Sequence, residues 1–224
     1  KERFPHHIRR KKFRTESIQI TDRFLKQVLP YFSFYPFEPE DSDIQKFLEI
    51  NGKLREENGR VFFDLRTETL PEPLWEGSWL RLRNAATMAR FADHRRYYYK
   101  GEQVDEKVHM GVDLASLANS EVPAANSGRV IYRDRLGIYG NTVVLDHGQG
   151  IASVYAHLSD FSVDMGQEVA KGDVIGHTGQ TGLAGGDHLH FGIMVGGVFV
   201  NPVEWWDSHW LRDNILRKLA LLKP

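Results

Sequence analysis

The chain has 224 residues, enough to bury a self-sufficient core as one large domain or two small ones. Hydrophobic residues at 41% and charged residues at 26% exclude long-range disorder, and 29 Lys+Arg against 30 Asp+Glu leave no overall field to recruit nucleic acid. No run approaches the ~18–20 apolar residues that cross a bilayer, and the absence of cysteine suits an oxidising compartment or the cytosol equally.

The first segment, Lys1 to Arg14, is basic and reads as a solvated tail or linker. It begins at Lys without a signal-peptide core, so a targeting segment or membrane anchor is expected upstream. Thr21 and Asp22 cap a short helix carrying Phe24, Leu25, Val28 and Leu29, stopped by Pro30. Residues 32–39 are rich in aromatics and proline and read as an irregular strip. Asp41, Ser42 and Asp43 introduce a second helix with Ile44, Phe47, Leu48 and Leu54 on one stripe, and Gly59 is expected to end it. Residues 1–76 thus read as a small α+β accessory or regulatory domain that suggests no chemistry of its own. Its attachment ahead of the next region leads us to expect that it frames or gates a groove there.

From Gly77 the texture changes to short β segments punctuated by glycine. Val130–Tyr132, Thr142–Leu145, Ile151–Ala156, Val174–Gly176, Leu189–Val195 and Val198–Val200 suit strands. Turn signals such as Lys171-Gly172 and Gly185-Gly186 separate them. Such spacing indicates an antiparallel sandwich or open barrel over residues 77–224, closed by a helix from about Glu204 to Leu222. The fold class is therefore α+β with a mainly-β C-terminal part.

Histidines and one aspartate in this half carry the chemical signal. In His109-Met110-Gly111-Val112-Asp113, a strand or a helix would bring His109 and Asp113 together, and Gly111 between them should leave open space. In His188-Leu189-His190, a strand turns both imidazoles one way and Leu189 toward the core. Tyr155-Ala156-His157-Leu158 ends another β run. Two imidazoles and a carboxylate suit one Zn²⁺ and leave a fourth position for water. Each motif alone is common; together, in a glycine-punctuated β frame, they are specific.

From about Gly77 to Trp206 the sequence resembles the M23 (lysostaphin/LytM-type) metallopeptidases. The matching text is HMGVDLA, VPAANSGRV, GIYGNTVVLDHGQG, SVYAHLS, VDMGQEVAKGDVIGHTGQTG and GGDHLHFGIMVGGVFVNP. The resemblance implies a zinc endopeptidase acting on peptidoglycan stem peptides or crosslinks, in the periplasm or cell envelope. It makes His109, Asp113 and His190 metal ligands and His157 and His188 the catalytic pair. The D-alanyl–diaminopimelate crosslink is the expected target in a Gram-negative wall, with glycine-rich bridges as the alternative. An arginine-bearing segment of the family suggests Arg96, and with it His94, as groove residues. His147 and His177, flanked by glycine turns, are expected to face solvent or stabilise turns, and Tyr97-Tyr98-Tyr99 to pack within a strand. Two rival readings exist: a non-catalytic wall-binding or hydrolase-activating module, and a lipoyl-like or phosphotransferase carrier. The intact ligand set argues against the first, and the second leaves Asp113 without a role.

Overall fold

The computed structural model describes residues 11–221. Most of the basic segment Lys1 to Arg14, and Leu222 at the expected end of the last helix, lie outside the described residues.

The scaffold is an antiparallel sheet whose strands run in the order Glu168–Val169, Gly128–Leu136, Gly140–Asp146, Ile151–Leu158, Leu189–Val195, Val112–Ala115 and Ala86–Ala89. Val198–Val200 adds to Leu189–Val195 through a hairpin. The sheet does not close into a barrel. The strands of its middle are buried throughout, as in Ile151–Leu158, so both faces must be covered. One face packs Val112, Leu114, Tyr155, Leu189 and Phe191 against Trp75, Trp79 and Trp205. The other packs Ile131, Val144, Val154 and Met194 against Phe32, Ile50, Leu54 and Phe62 from the N-terminal half. Phe62 is the clearest link: its ring meets Tyr139 edge-on at 4.8 Å and Phe199 at 5.2 Å.

The N-terminal half is tied to the rest by pairing as well as packing. Thr15–Ile20 runs parallel to His94–Tyr99, which forms a hairpin with Glu102–Val108. This three-stranded sheet therefore draws strands from both sides of residue 76. The short helix Asp22–Val28 forms with Thr21 as its cap, and its last turn tightens over Pro30. The second helix departs from expectation. It begins at Asp43 behind a Ser42–Gln45 capping box, widens to a π-helical turn at Ile50–Leu54 and continues through Gly59 to Asp64. A glycine costs only about 1 kcal/mol in a helix, less than burying Phe62 one turn later returns.

The C-terminal helix also differs. Pro202–Trp206 forms a first turn, Asp207 leaves helical geometry, and a new segment starts at Ser208. Asp207 accepts hydrogen bonds from the His209 and Trp210 amides, so its side chain caps the second segment and breaks the first. Among the described residues no helix is long and apolar enough to cross a membrane.

Candidate metal and catalytic centre

Sheet register builds the centre. Leu189–Val195 pairs on both sides, placing His190 opposite Asp113 on one neighbour and opposite Ala156 on the other. Directly opposed residues share a face, so His190 and Asp113 project together. Leu189 faces away and is buried, as the alternation requires. His109 is supplied from the turn between Glu102–Val108 and Val112–Ala115. Its amide donates to the Asp93 carbonyl, and its own carbonyl accepts from the Ala92 amide.

Gly111 does not leave open space. A Cβ there would stand 2.6 Å from His190 Nε2 and from the Phe191 carbonyl, so this glycine lets the His190 ring approach the backbone.

Three donor atoms converge. His109 Nε2 lies 2.9 Å from Asp113 Oδ1 and 3.0 Å from His190 Nδ1, and His190 Nδ1 lies 2.9 Å from the same carboxylate oxygen. All three residues are buried. Burial alone would push the Asp113 carboxyl up, but the neighbouring His109 and His190 outweigh it and hold the group well below the ordinary range. His190 is driven the other way, to about 4, chiefly by burial. An ionised carboxylate beside a neutral imidazole is the protonation pattern that a divalent cation needs. Among the described residues, Nε2 of His190, on the far side of its ring, is buried without a partner.

His157 reaches the site by a backbone departure. Its neighbour Ala156 is the register partner of His190, so a regular pleat would send His157 to the opposite face. Its φ of +63° turns it back, beside an irregularity in the pairing with Gly140–Asp146. A non-glycine residue in this region costs about 1–2 kcal/mol, which the surrounding packing must offset. The ring stands 5.9 Å from that of His190 and 4.8 Å from that of His188. Burial first, then His188 and His190, keep His157 neutral, well below the usual imidazole range.

The outer contacts are regular. His109 Nδ1 meets the Arg90 carbonyl at 3.0 Å, His157 Nδ1 the Thr181 carbonyl at 2.8 Å and His188 Nδ1 the Gly186 carbonyl at 2.8 Å. A carbonyl only accepts, so each Nδ1 carries a proton and donates it outward, away from the centre. Gly140, at φ +64°, lets the backbone pass against Thr181, where any side chain would collide; this seats the loop that orients His157. Arg95 donates to the second Asp113 oxygen at 2.7 Å.

His94 and Arg96 do not line this cleft; both are exposed on His94–Tyr99. The strand alternation points Arg95, between them, at Asp113 instead. The arginine signal in FADHRRYYY was present, but only the register of the strand selects which arginine enters. His147 is also not solvent-facing. It is fully buried between the Ser127 carbonyl and Ser153 Oγ, each at 2.7 Å, and burial lowers its pKa to about 4. His177 is half-buried on Val174–His177 and pairs with Asp160 at 2.9 Å. Tyr97 packs on Phe47 inside the small sheet, as expected of a strand residue.

The cleft that holds the centre has a volume of about 340 Å³ and two walls. One carries His109, Asp113, His157, His188 and His190; the other carries Ile18, Ile20, Phe24, Phe47 and Arg55 from the N-terminal half.

Comparison with known proteins finds similarity over the part of the chain that carries this centre. Residues 107–202 match Peptidase family M23. The DD-carboxypeptidase/endopeptidase Mpg of Neisseria meningitidis serogroup B is 41% identical over 98 residues, which are 44% of this chain and 23% of Mpg. The murein hydrolase activator EnvC of Escherichia coli is 36% identical over 106 residues, 47% of this chain and 25% of EnvC. The matched stretch thus spans about a quarter of either relative. A crystal structure of a putative peptidase M23 from Pseudomonas aeruginosa superposes with a TM-score of 0.53 at 26% identity, covering 76% of this chain and 64% of that one. The β-rich half of this chain is thus similar to Peptidase family M23 over residues 107–202, less than half of its length.

Proposed function

We propose that this chain is a zinc endopeptidase that hydrolyses peptide crosslinks of bacterial peptidoglycan, with the D-alanyl–diaminopimelate bond as target, in the periplasm or cell envelope. The observation that carries the reading is the buried triangle of His109 Nε2, Asp113 Oδ1 and His190 Nδ1, with sides of 2.9–3.0 Å. Contacts this short need a proton or a cation among the three donor atoms, and two imidazoles with one carboxylate are a set that zinc accepts. When bound, zinc supplies Lewis acidity toward the scissile carbonyl and activates a water for attack.

The remaining steps belong to the chain. His157 and His188, with Nδ1 fixed by backbone carbonyls, turn Nε2 toward the cleft. Neutral His157 is ready to accept a proton from the attacking water, and the pair returns a proton to the leaving amine. Arg95 fixes Asp113 from behind, and the apolar wall of Ile18, Phe24 and Phe47 excludes bulk water from one side.

Digestion of purified crosslinked peptidoglycan, with fragments resolved by mass, tests the reading. Crosslinked dimers should fall to monomers, and a chelator, His190→Ala or His157→Ala should each stop this. The similarity to EnvC, whose name describes an activator, supports a second reading as a non-catalytic module. Failure to bind zinc together with no released fragments would select it.

A further inference from the structure

The charges of the cleft are unevenly satisfied. Asp113 is taken by Arg95, and Glu16 lies 3.5 Å from Arg95 and 3.5 Å from Arg14. Arg55 is the exception. It has no carboxylate partner among the described residues, although it is half-buried and lines the wall opposite the histidines. Its guanidinium is held on one edge only: Nε meets the Asn51 carbonyl at 3.2 Å, and Nη2 meets Asn51 Oδ1 at 2.5 Å. Asn51 passes the link to Asp105 at 2.8 Å, but Asp105 already has Lys107 as its cation. Nη1 makes no hydrogen bond among the described residues. The mount is rigid. One turn along the same helix, buried Asn58 accepts from the Ile138 amide at 2.9 Å, fixing the helix to the turn that carries Tyr139. The Tyr139 ring in turn lies 5.4 Å from that of His190.

We propose that Arg55 is a specificity residue that docks a free carboxylate of the peptide substrate beside the reacting centre. The proposal rests on the peptidase reading above. An oriented guanidinium with one edge anchored and the other open suits a planar carboxylate, and a lysine would not reproduce that fork. Arg55 lies outside residues 107–202, so this preference belongs to the N-terminal wall and not to the family-matched segment. The substrate class is thus an acidic peptide, carrying either a C-terminal or a side-chain carboxylate near the scissile amide.

The test compares a crosslinked muropeptide dimer with the same dimer after amidation of its carboxylates. Separate arms amidate only the C-terminal or only the side-chain groups, which identifies the carboxylate used. The intact chain should prefer the acidic dimer by about 10- to 100-fold, expressed mainly in KM, and Arg55→Gln should remove the preference by raising KM for the acidic dimer to that for the amidated one. Arg55→Lys should restore only part of it. The preference of the unaltered chain needs no variant, so a misfolded Arg55→Gln would not shelter the proposal. Equal KM for acidic and amidated dimers would overturn it while leaving the peptidase reading intact. Equilibrium binding of both dimers to the chelator-treated chain separates the two readings. Tighter binding of the acidic dimer with no hydrolysis by the metal-loaded chain would sink the peptidase and keep Arg55.

Discussion

The two walls of the cleft hold their functional side chains by different means. On the large sheet, position follows from register: His190 faces Asp113 because the strands pair there, and His157 joins them through one left-handed residue. On the N-terminal wall a paired strand supplies Ile18 and Ile20, but Phe24, Phe47 and Arg55 come from helices. Arg55 is placed by a helix whose own position depends on Phe62, Asn58 and Ile50 packing against strands far away in sequence. A site built on paired strands tolerates little displacement, because one residue of slip turns every side chain over. A helical wall can change its residues while keeping its seat. We read this as a division between fixed chemistry on the sheet and adjustable selection on the helices.

The sharpest test of that division separates metal from proton transfer. His190→Ala should lose both bound zinc and activity, by about 10³-fold or more. His157→Gln should keep the zinc while kcat falls about 10²- to 10⁴-fold. Metal analysis beside turnover checks both, and loss of zinc from His157→Gln would place His157 among the ligands.

The walls should also prove to be one folding unit. Phe62→Ala is expected to cost about 3–5 kcal/mol in urea unfolding, with a single transition. Removing residues before Gly77 would uncover Ile131, Val144, Val154 and Met194 and should yield insoluble protein. A stable, active remnant would break the comparison, since the helices would then be an attachment and not half of the core.

Acid stability sharpens it from the other face of the sheet. Buried His147 has a folded pKa of about 4 against an ordinary 6.5, so the unfolded chain takes up the proton first as pH falls. Its stability contribution is complete above about 6.5 and is lost progressively toward 4, amounting to about 3 kcal/mol at the acid end. Unfolding free energies of His147→Gln at neutral pH and near pH 4.5 should therefore differ less than those of the unaltered chain. Identical slopes would assign the acid sensitivity to other groups.

The smallest effect is expected behind the carboxylate. Arg95→Met removes the 2.7 Å contact to Asp113 and should weaken zinc binding about 10- to 100-fold, read by competition with a chromogenic chelator. An unchanged affinity would mean that the histidines alone orient Asp113.

What the sequence determined by itself was the inventory of the sheet and its chemistry. Strand periodicity and glycine turns marked the elements from Val130 to Val200, and the motifs named His109, Asp113, His157, His188 and His190 together. Those motifs are local, and alternation within a strand is enough to say which of their side chains share a face. Tertiary structure decided the rest. That Arg95 and not Arg96 enters the cleft depends on a pairing with Thr15–Ile20, in which each partner lies 79 positions earlier in the chain. That His157 turns inward depends on a positive φ imposed by its surroundings, against the local preference of a histidine. Gly59 stays helical because Phe62 is buried beyond it, and His147 is dry because Ser127 and Ser153 close over it. Arg55 carried no signal at all: an arginine on a helix becomes a cleft residue only when the helix has a sheet to lie on.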